Sequence, residues 1–280
     1  MKTTDIKDLI PRVLSDQIIT EIETKYDFMN DDLLTVYNKA EVRPGRVLEL
    51  PVRSRIGLMQ DKEEGESMAY DSFTSSKLTI TPRTKALKFD YTMEAGGGYL
   101  GDLGADIVND LSLSAIRTID KMRFETLQTV DSSNDFDRST NTINYEDLVE
   151  LFSLEAYERP NDFVFFVSNK QLKQLKTMKD DNRNYILLQA NNGQVLKDGV
   201  VGYIDGIEVR VAKSILPNDN IFENFLVEKG AIAWVPAKDF TVKLEEDNDK
   251  LVYWVYSHFV AGTALQPNKI VRRVKFAETV

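Results

Sequence analysis

The chain has 280 residues, no cysteine, one histidine and a formal net charge of −10, from 35 Lys and Arg against 45 Asp and Glu. Lack of cysteine excludes disulfides, thiolate metal sites and cysteine nucleophiles, and the acidic balance argues against tight wrapping of nucleic acid. Hydrophobic residues make up 42%, enough for one large domain or two intimately joined ones. The longest apolar runs, such as Phe163–Val167 and Ala231–Val235, fall far short of a membrane span.

Residues 9–29 read as a first helix, with Leu14, Ile18, Ile22 and Tyr26 four apart and Pro11 in the first turn. A polar interval around Asn30-Asp31-Asp32 and a short apolar patch at Leu33, Leu34, Val36 and Tyr37 complete an arm. Arg46–Ile56 then alternates, with Leu48, Leu50, Val52 and Ile56 opposite Glu49, Arg53 and Arg55. That is the period of a half-exposed strand, and Pro51 places it at an edge. After the polar tip Asp61-Lys62-Glu63-Glu64-Gly65-Glu66-Ser67 the chain returns through Lys77–Tyr91, whose apolar phase flips near Pro82, the mark of a bulge or bend. Two arms of about 11 residues make a ribbon of roughly 36 Å. Such a ribbon is marginal in water by itself, so it is expected to lie on a neighbouring subunit.

Asp102–Val130 carries Leu103, Ile107, Leu111, Ala115, Ile119 and Met122 at spacings of three and four, the stripe of an amphipathic helix. At about 1.5 Å per residue it runs roughly 43 Å, against a radius of gyration of about 19 Å for a compact chain of this length. It is expected to be a spine for an elongated subunit. Asp131–Thr142 reads as a polar loop, and Asn144 caps a helix to Tyr157 with Leu148, Leu151 and Phe152 inward. Phe163–Val167 is a buried-type strand, and Asn169 opens a short helix faced by Leu172 and Leu175. Residues 179–198 are polar, with a turn signal at Asn192-Gly193. Asp205-Gly206 joins Val200–Ile204 to Ile207–Val211 in a hairpin, and Pro217-Asn218-Asp219 is a further turn. Phe225–Val227, Phe240–Leu244, Leu251–Val260 and Lys269–Phe276 read as strands, the third of them central. The class is α+β.

Chemical motifs are sparse. Gly96, Gly98 and Gly101 fit G-x-G-x-x-G between a strand and a helix, but the second strand and acidic residue of a dinucleotide site do not follow, because Asp120 lies mid-helix. Gly96, Gly97 and Gly98 are read instead as a hinge between ribbon and spine. His258, the only histidine, is expected to be a packed or rim residue of a strand. Asp247-Asn248-Asp249 and Asp131, Asp135 and Asp137 have the acid density of calcium loops without the glycine and closing glutamate. The basic set Lys269, Arg272, Arg273 and Lys275 is a candidate surface for an acidic partner, though no aromatic interleaving marks it for nucleic acid. No nucleophile–base constellation emerges, so no catalytic residue, metal or cofactor is assigned and the chain does not read as an enzyme. Candidate intersubunit residues are Arg53, Arg55, Lys62, Glu63, Glu64 and Glu66; candidate turn residues are Gly193, Gly202, Asp205 and Gly206.

An arm, a long hairpin with an acidic glycine-containing tip, a spine helix and a mixed sheet domain together resemble the major capsid proteins of tailed bacteriophages, whose fold is named after phage Hong Kong 97. The stretches that carry the resemblance are Leu9-Ile10-Pro11-Arg12-Val13-Leu14, Glu64-Gly65-Glu66-Ser67, the Asp106…Asp120 pattern of the spine, Asp198 to Val209 and Gly230-Ala231. It implies an N-terminal arm over 1–45, an extended loop over 46–92, a peripheral domain over 93–184 with its spine at 102–130, an axial domain over 185–222, and C-terminal strands over 223–280 returning to the peripheral and axial sheets. It also implies pentamers and hexamers of the chain closed into an icosahedral shell around double-stranded DNA contacted non-specifically. Portal, decoration and scaffolding proteins are the implied partners, with localisation in the virion after assembly in the host cytoplasm and no membrane. Because a short arm begins at Met1, a separate scaffold is expected rather than a fused one. An acidic inner wall is expected to let DNA pack without sticking. An encapsulin-type nanocompartment holding a cargo enzyme is the alternative on the same fold.

Overall fold

In the computed structural model the described residues are 31–37, 45–53, 75–92, 103–179, 185–187, 200–212, 214–247 and 249–278. The expected N-terminal helix at 9–29, the hairpin tip at 61–67, the glycines at 96–98 and Gly193 lie outside them.

Two sheets share one helix. The spine, α1 (Leu103–Gln128), has 26 residues, about 39 Å at 1.5 Å per residue. Its buried stripe takes in Val108, Leu111, Ala115, Ile116, Ile119, Met122 and Leu127, so the sequence periodicity finds the correct face. The N-terminal half, at Val108 and Leu111, packs on Val242 and Val255 of a four-stranded sheet. The C-terminal half, at Ile119, Met122 and Leu127, joins a core with Val164, Phe166, Phe225 and Val227 of a six-stranded sheet. One uninterrupted helix thus sets the spacing of the two sheets.

The four-stranded sheet runs β1 (Leu34–Val36), β10 (Ile232–Asp247), β11 (Val252–Leu265) and β4 (Arg83–Thr92). β11 is antiparallel to both neighbours, which bears out its reading as a central strand. Along β11, Val255 and Thr263 face α1, the latter through a 2.6 Å hydrogen bond with Thr126. β2 (Leu48–Arg53) and β3 (Ser75–Ile80) form a separate antiparallel pair. Leu50, Val52, Leu78 and Ile80 of that pair pack on Ala233 and Val235 of β10.

The returning arm of the ribbon is therefore two strands, and its reading as one strand from Lys77 to Tyr91 is corrected. It breaks at Thr81-Pro82, where the apolar phase flips. Its first half pairs with the outgoing arm, and its second half, β4, leaves to pair with β11 over Arg83–Thr92. A proline cannot donate to a ladder, so the break falls where β3 hands over to β4.

The six-stranded sheet has the order β5 (Asp135–Arg138), β12 (Val271–Ala277), β9 (Ile221–Glu228), β6 (Phe163–Val167), β8 (Ile207–Val211) and β7 (Val200–Ile204). All five residues of β6 are buried because both faces are covered. Val164 and Phe166 meet the spine core; Phe163, Phe165 and Val167 meet α2 (Tyr145–Glu155) and α3 (Asn169–Thr177). Asn144 caps α2 as expected, accepting from the Asp147 N–H at 2.8 Å while its amide donates to the Asp147 carboxylate at 2.6 Å. Within the stretch read as a polar loop, β5 is a strand the sequence reading missed. It is a parallel edge to β12 with a single apolar residue, Phe136, and side-chain charge holds it: Arg273 and Lys275 reach Asp135 at 2.8 and 2.7 Å.

Candidate assembly surfaces

Asp205 and Gly206, with φ of 50° and 85°, close the β7–β8 hairpin in the left-handed conformation that a two-residue turn requires. Tyr157 donates to the Asp205 carboxylate at 3.2 Å; burial first and that carboxylate second push its phenol up to about 12. Gly202 lies in β7 beside a register shift at Val200–Gly202. The backbone of Arg53 ends β2. The remaining intersubunit candidates, Arg55, Lys62, Glu63, Glu64 and Glu66, lie outside the described residues.

The C-terminal basic set forms no free patch. Lys269 pairs with Glu228 at 2.9 Å, Arg272 with Glu155, and Arg273 and Lys275 with Asp135. Lys269, Arg273 and Lys275 are used on carboxylates of the six-stranded sheet itself, and Arg272 ties that sheet to α2. Of the aspartates weighed as calcium ligands, Asp131 and Asp137 accept from the Ser133 and Ser139 backbone N–H groups, which keep both carboxyls below their usual range, and Asp247 accepts from the Lys250 N–H. Among the described residues no group of three metal-ligating side chains forms, and no helix is long and apolar enough to cross a membrane.

Three features escaped the sequence reading. Glu228, 1% exposed, sits at the β9–β10 turn with Lys269, the Ile270 N–H at 3.0 Å and Arg159 at 3.8 Å. Beside it, buried Arg210 pairs with Glu208 and reaches Asp32 of the arm at 3.7 Å. The turn itself clasps the arm, because the Gly230 N–H donates to the Asp32 carbonyl and Thr35 donates to the Gly230 carbonyl. The spine buries Arg123 completely, its guanidinium 5.2 Å from the Trp234 ring centroid, in a stripe where the sequence pattern counted only apolar positions. A third feature, Gly262, lets β11 pass under the ribbon. A β-carbon there would sit 2.7 Å from Ile80 Cγ2 and 3.1 Å from the Pro82 backbone. A glycine inside a strand is the one signal that could have marked this crossing.

The outer face of the four-stranded sheet, away from α1, divides in two. The ribbon base covers the end at Ala233, Val235 and Gly262. At the other end β11 presents Trp254, Tyr256 and His258, all half-buried. Lys88 of β4 lies 3.8 Å from the Trp254 ring centroid and 4.8 Å from that of Tyr256. Lys243 of β10 is opposite Tyr256, and Lys238 lies 2.8 Å from His258 Nε2. Burial first, then Lys238 and Lys243, hold His258 below the ordinary histidine value, consistent with a neutral ring accepting from Lys238.

What the described surface offers is contact area and charge. The model of the phage capsid family matches residues 105–273, more than half of the chain. The chain belongs to the phage capsid family. Among solved structures it is similar to the capsid of Ralstonia phage GP4 (TM-score 0.71, 11% identity, 91% of each chain covered). It is also similar to the head of Helicobacter pylori bacteriophage KHP40 (TM-score 0.64, 12% identity, 91% and 90% covered) and to the mature capsid of bacteriophage PhiM1 (TM-score 0.61, 12% identity, 91% and 89% covered). A search of curated proteins finds no match. At these identities the likeness establishes the fold: α+β, of the Hong Kong 97 type, as the layout of arm, ribbon and spine implied.

Proposed function

We propose that the chain is the major capsid protein of a tailed bacteriophage, self-assembling into the icosahedral shell that encloses the double-stranded DNA genome. Family membership carries this reading. The ribbon supports it physically: β2 and β3 pair only with each other and 21 further residues lie between Arg53 and Ser75, and a lone two-stranded ribbon is marginal in water. The proposal includes the division into arm (1–45), extended loop (46–92), peripheral domain (93–184), axial domain (185–222) and C-terminal strands (223–280). In support, the last segment sends β10 and β11 to one sheet and β12 to the other. Pentamers and hexamers of the chain, a separate scaffold, a portal and decoration proteins are the expected partners, and assembly takes place in the host cytoplasm.

An encapsulin-type shell uses the same fold around a protein cargo; the family match and the phage capsids among the structural neighbours do not favour it. Contents decide between them. Nuclease-treated particles from infected or induced cells are expected to retain protected double-stranded DNA, whereas particles filled with one enzyme and no DNA would contradict the phage reading.

A further inference from the structure

β4 ends the four-stranded sheet, and no strand of the described residues lies along its other side. Its ladder with β11 runs ten residues without a register shift, and no proline falls inside it. Short length, bulges and prolines are what usually keep an edge strand from pairing with another chain, and β4 has none of them. The opposite edge of the sheet, β1, is only three residues long. Apolar surface gathers on the same flank: Leu87 is 44% exposed, and Leu113 of α1, in the cleft beside Lys85, is 36% exposed. Strand alternation puts Leu87, Phe89 and Tyr91 on the spine side and Ala86, Lys88 and Asp90 on the outer side.

We propose that β4 pairs antiparallel with β4 of a second copy of the chain, about a two-fold axis through Phe89, so that two four-stranded sheets become one continuous sheet. The charge pattern commits this edge to its own copy. A two-fold axis normal to a sheet keeps each face on its own side, so the register has to centre on a residue. Centred on Phe89, it sets Lys88 opposite Asp90 twice, Leu87 opposite Tyr91 twice and Ala86 opposite Thr92 twice. Opposite charges facing each other across a ladder stabilise it, and like charges there destabilise it. A centre at Lys85, Lys88 or Asp90 puts a charge opposite its own copy at the axis. A centre at Ala86 or Leu87 leaves Lys88 opposite Thr84 or Ala86, with no partner of opposite sign. Phe89 is thus the one centre that answers both charges, and it also covers the exposed Leu87 with a tyrosine.

The pairing goes beyond the shell reading above, and its test separates the two. The chain has no cysteine, so introduced thiols report without background. One population carries Lys88→Cys and another Asp90→Cys, both at exposed positions. Each is assembled alone and the two are assembled together, and all three samples are mildly oxidised. Residues opposite one another in an antiparallel pair have Cα atoms about 4.5–5.5 Å apart, within disulfide reach, whereas position 88 and its own copy are diagonal neighbours at about 7–8 Å. The expected result is a disulfide dimer in the mixed sample about tenfold above either population alone. Particles that form normally with no dimer overturn the pairing and leave the shell reading standing. So does a dimer equally strong with Lys88→Cys alone, which would move the axis. Mixed dimers from a chain that builds no particles uphold the pairing and overturn the shell reading; neither dimers nor particles overturns both. As a second measure, Phe89→Cys places a thiol on the axis itself. In that background Lys88→Asp sets like charges opposite one another twice and is expected to lower the disulfide dimer about tenfold, and adding Asp90→Lys to restore it. Equal dimer in all three would overturn the register.

Discussion

The two sheets spend their charge differently. In the six-stranded sheet and the turns at its ends nearly every cation near a strand is used at home: Asp135 takes both Arg273 and Lys275, Glu228 takes Lys269, and Glu208 takes Arg210. Both faces of β6 are closed. In the four-stranded sheet one face lies on the spine, while the other is half covered by the ribbon and half a display of aromatics and lysines. The first sheet is closed on both faces of its central strand, and the second leaves part of one face open. A shell subunit has to stay folded alone and still bind copies of itself, and here the two demands fall on different sheets.

Substitutions should therefore separate the sheets by what they break. The largest effect is expected in the closed sheet: Phe165→Ala removes a fully buried ring packed edge-on to Phe152 and should cost about 3–5 kcal/mol, read as a lower denaturation midpoint. Glu228→Gln removes the charge that meets Lys269 at the β9–β10 turn, and a loss of about 2 kcal/mol is expected in the same measurement. Gly262→Ala should act at the boundary. Its methyl displaces Ile80 and Pro82 at a cost of about 1–3 kcal/mol, so proteolysis within residues 46–82 should accelerate while α1 and the six-stranded sheet stay protected. Equal protection throughout would show that the crossing bears no strain. On the open face, Lys88→Ala and Lys243→Ala should change stability by less than about 0.5 kcal/mol and show their effect only in assembly.

The smallest expected effect is a pH slope. His258 is held below its ordinary value of 6.5 by burial, then by Lys238 and Lys243. As pH falls, the unfolded chain takes up the proton first. The stability tied to a neutral His258 is thus complete above about 6.5 and declines as pH drops through that value toward the lower folded one. His258→Gln should flatten that part of the stability–pH curve, and an unchanged slope would remove His258 as its source.

What the sequence showed was local. Five apolar residues declare β6, Asn144 with Asp147 declares a helix start, and Asp205-Gly206 declares a turn, because each rule needs only neighbours in the chain. The departure of β4 to β11 was announced by the phase flip at Pro82, but its partner, about 170 residues away, could not be read. The strand β5 was missed because Asp135 and Asp137 look like a loop until Arg273 and Lys275 arrive from the far end of the chain. Arg123 hid inside the spine for the same reason: a charged letter on an apolar stripe reads as surface until Trp234 is placed against it. The basic C-terminal set was misread in the opposite sense, since four cations in sequence say nothing of the carboxylates that neutralise them. The aromatic and lysine face of the four-stranded sheet was legible only in its composition and not in its location, because Lys88 and Lys243 come to Tyr256 from distant strands.

The most direct test of the shell assignment is negative-stain electron microscopy with light scattering on the protein expressed alone and together with its genomic neighbours. Closed icosahedral particles, or rings of five and six, are the predicted result. A monomer that stays monomeric in both preparations would contradict it.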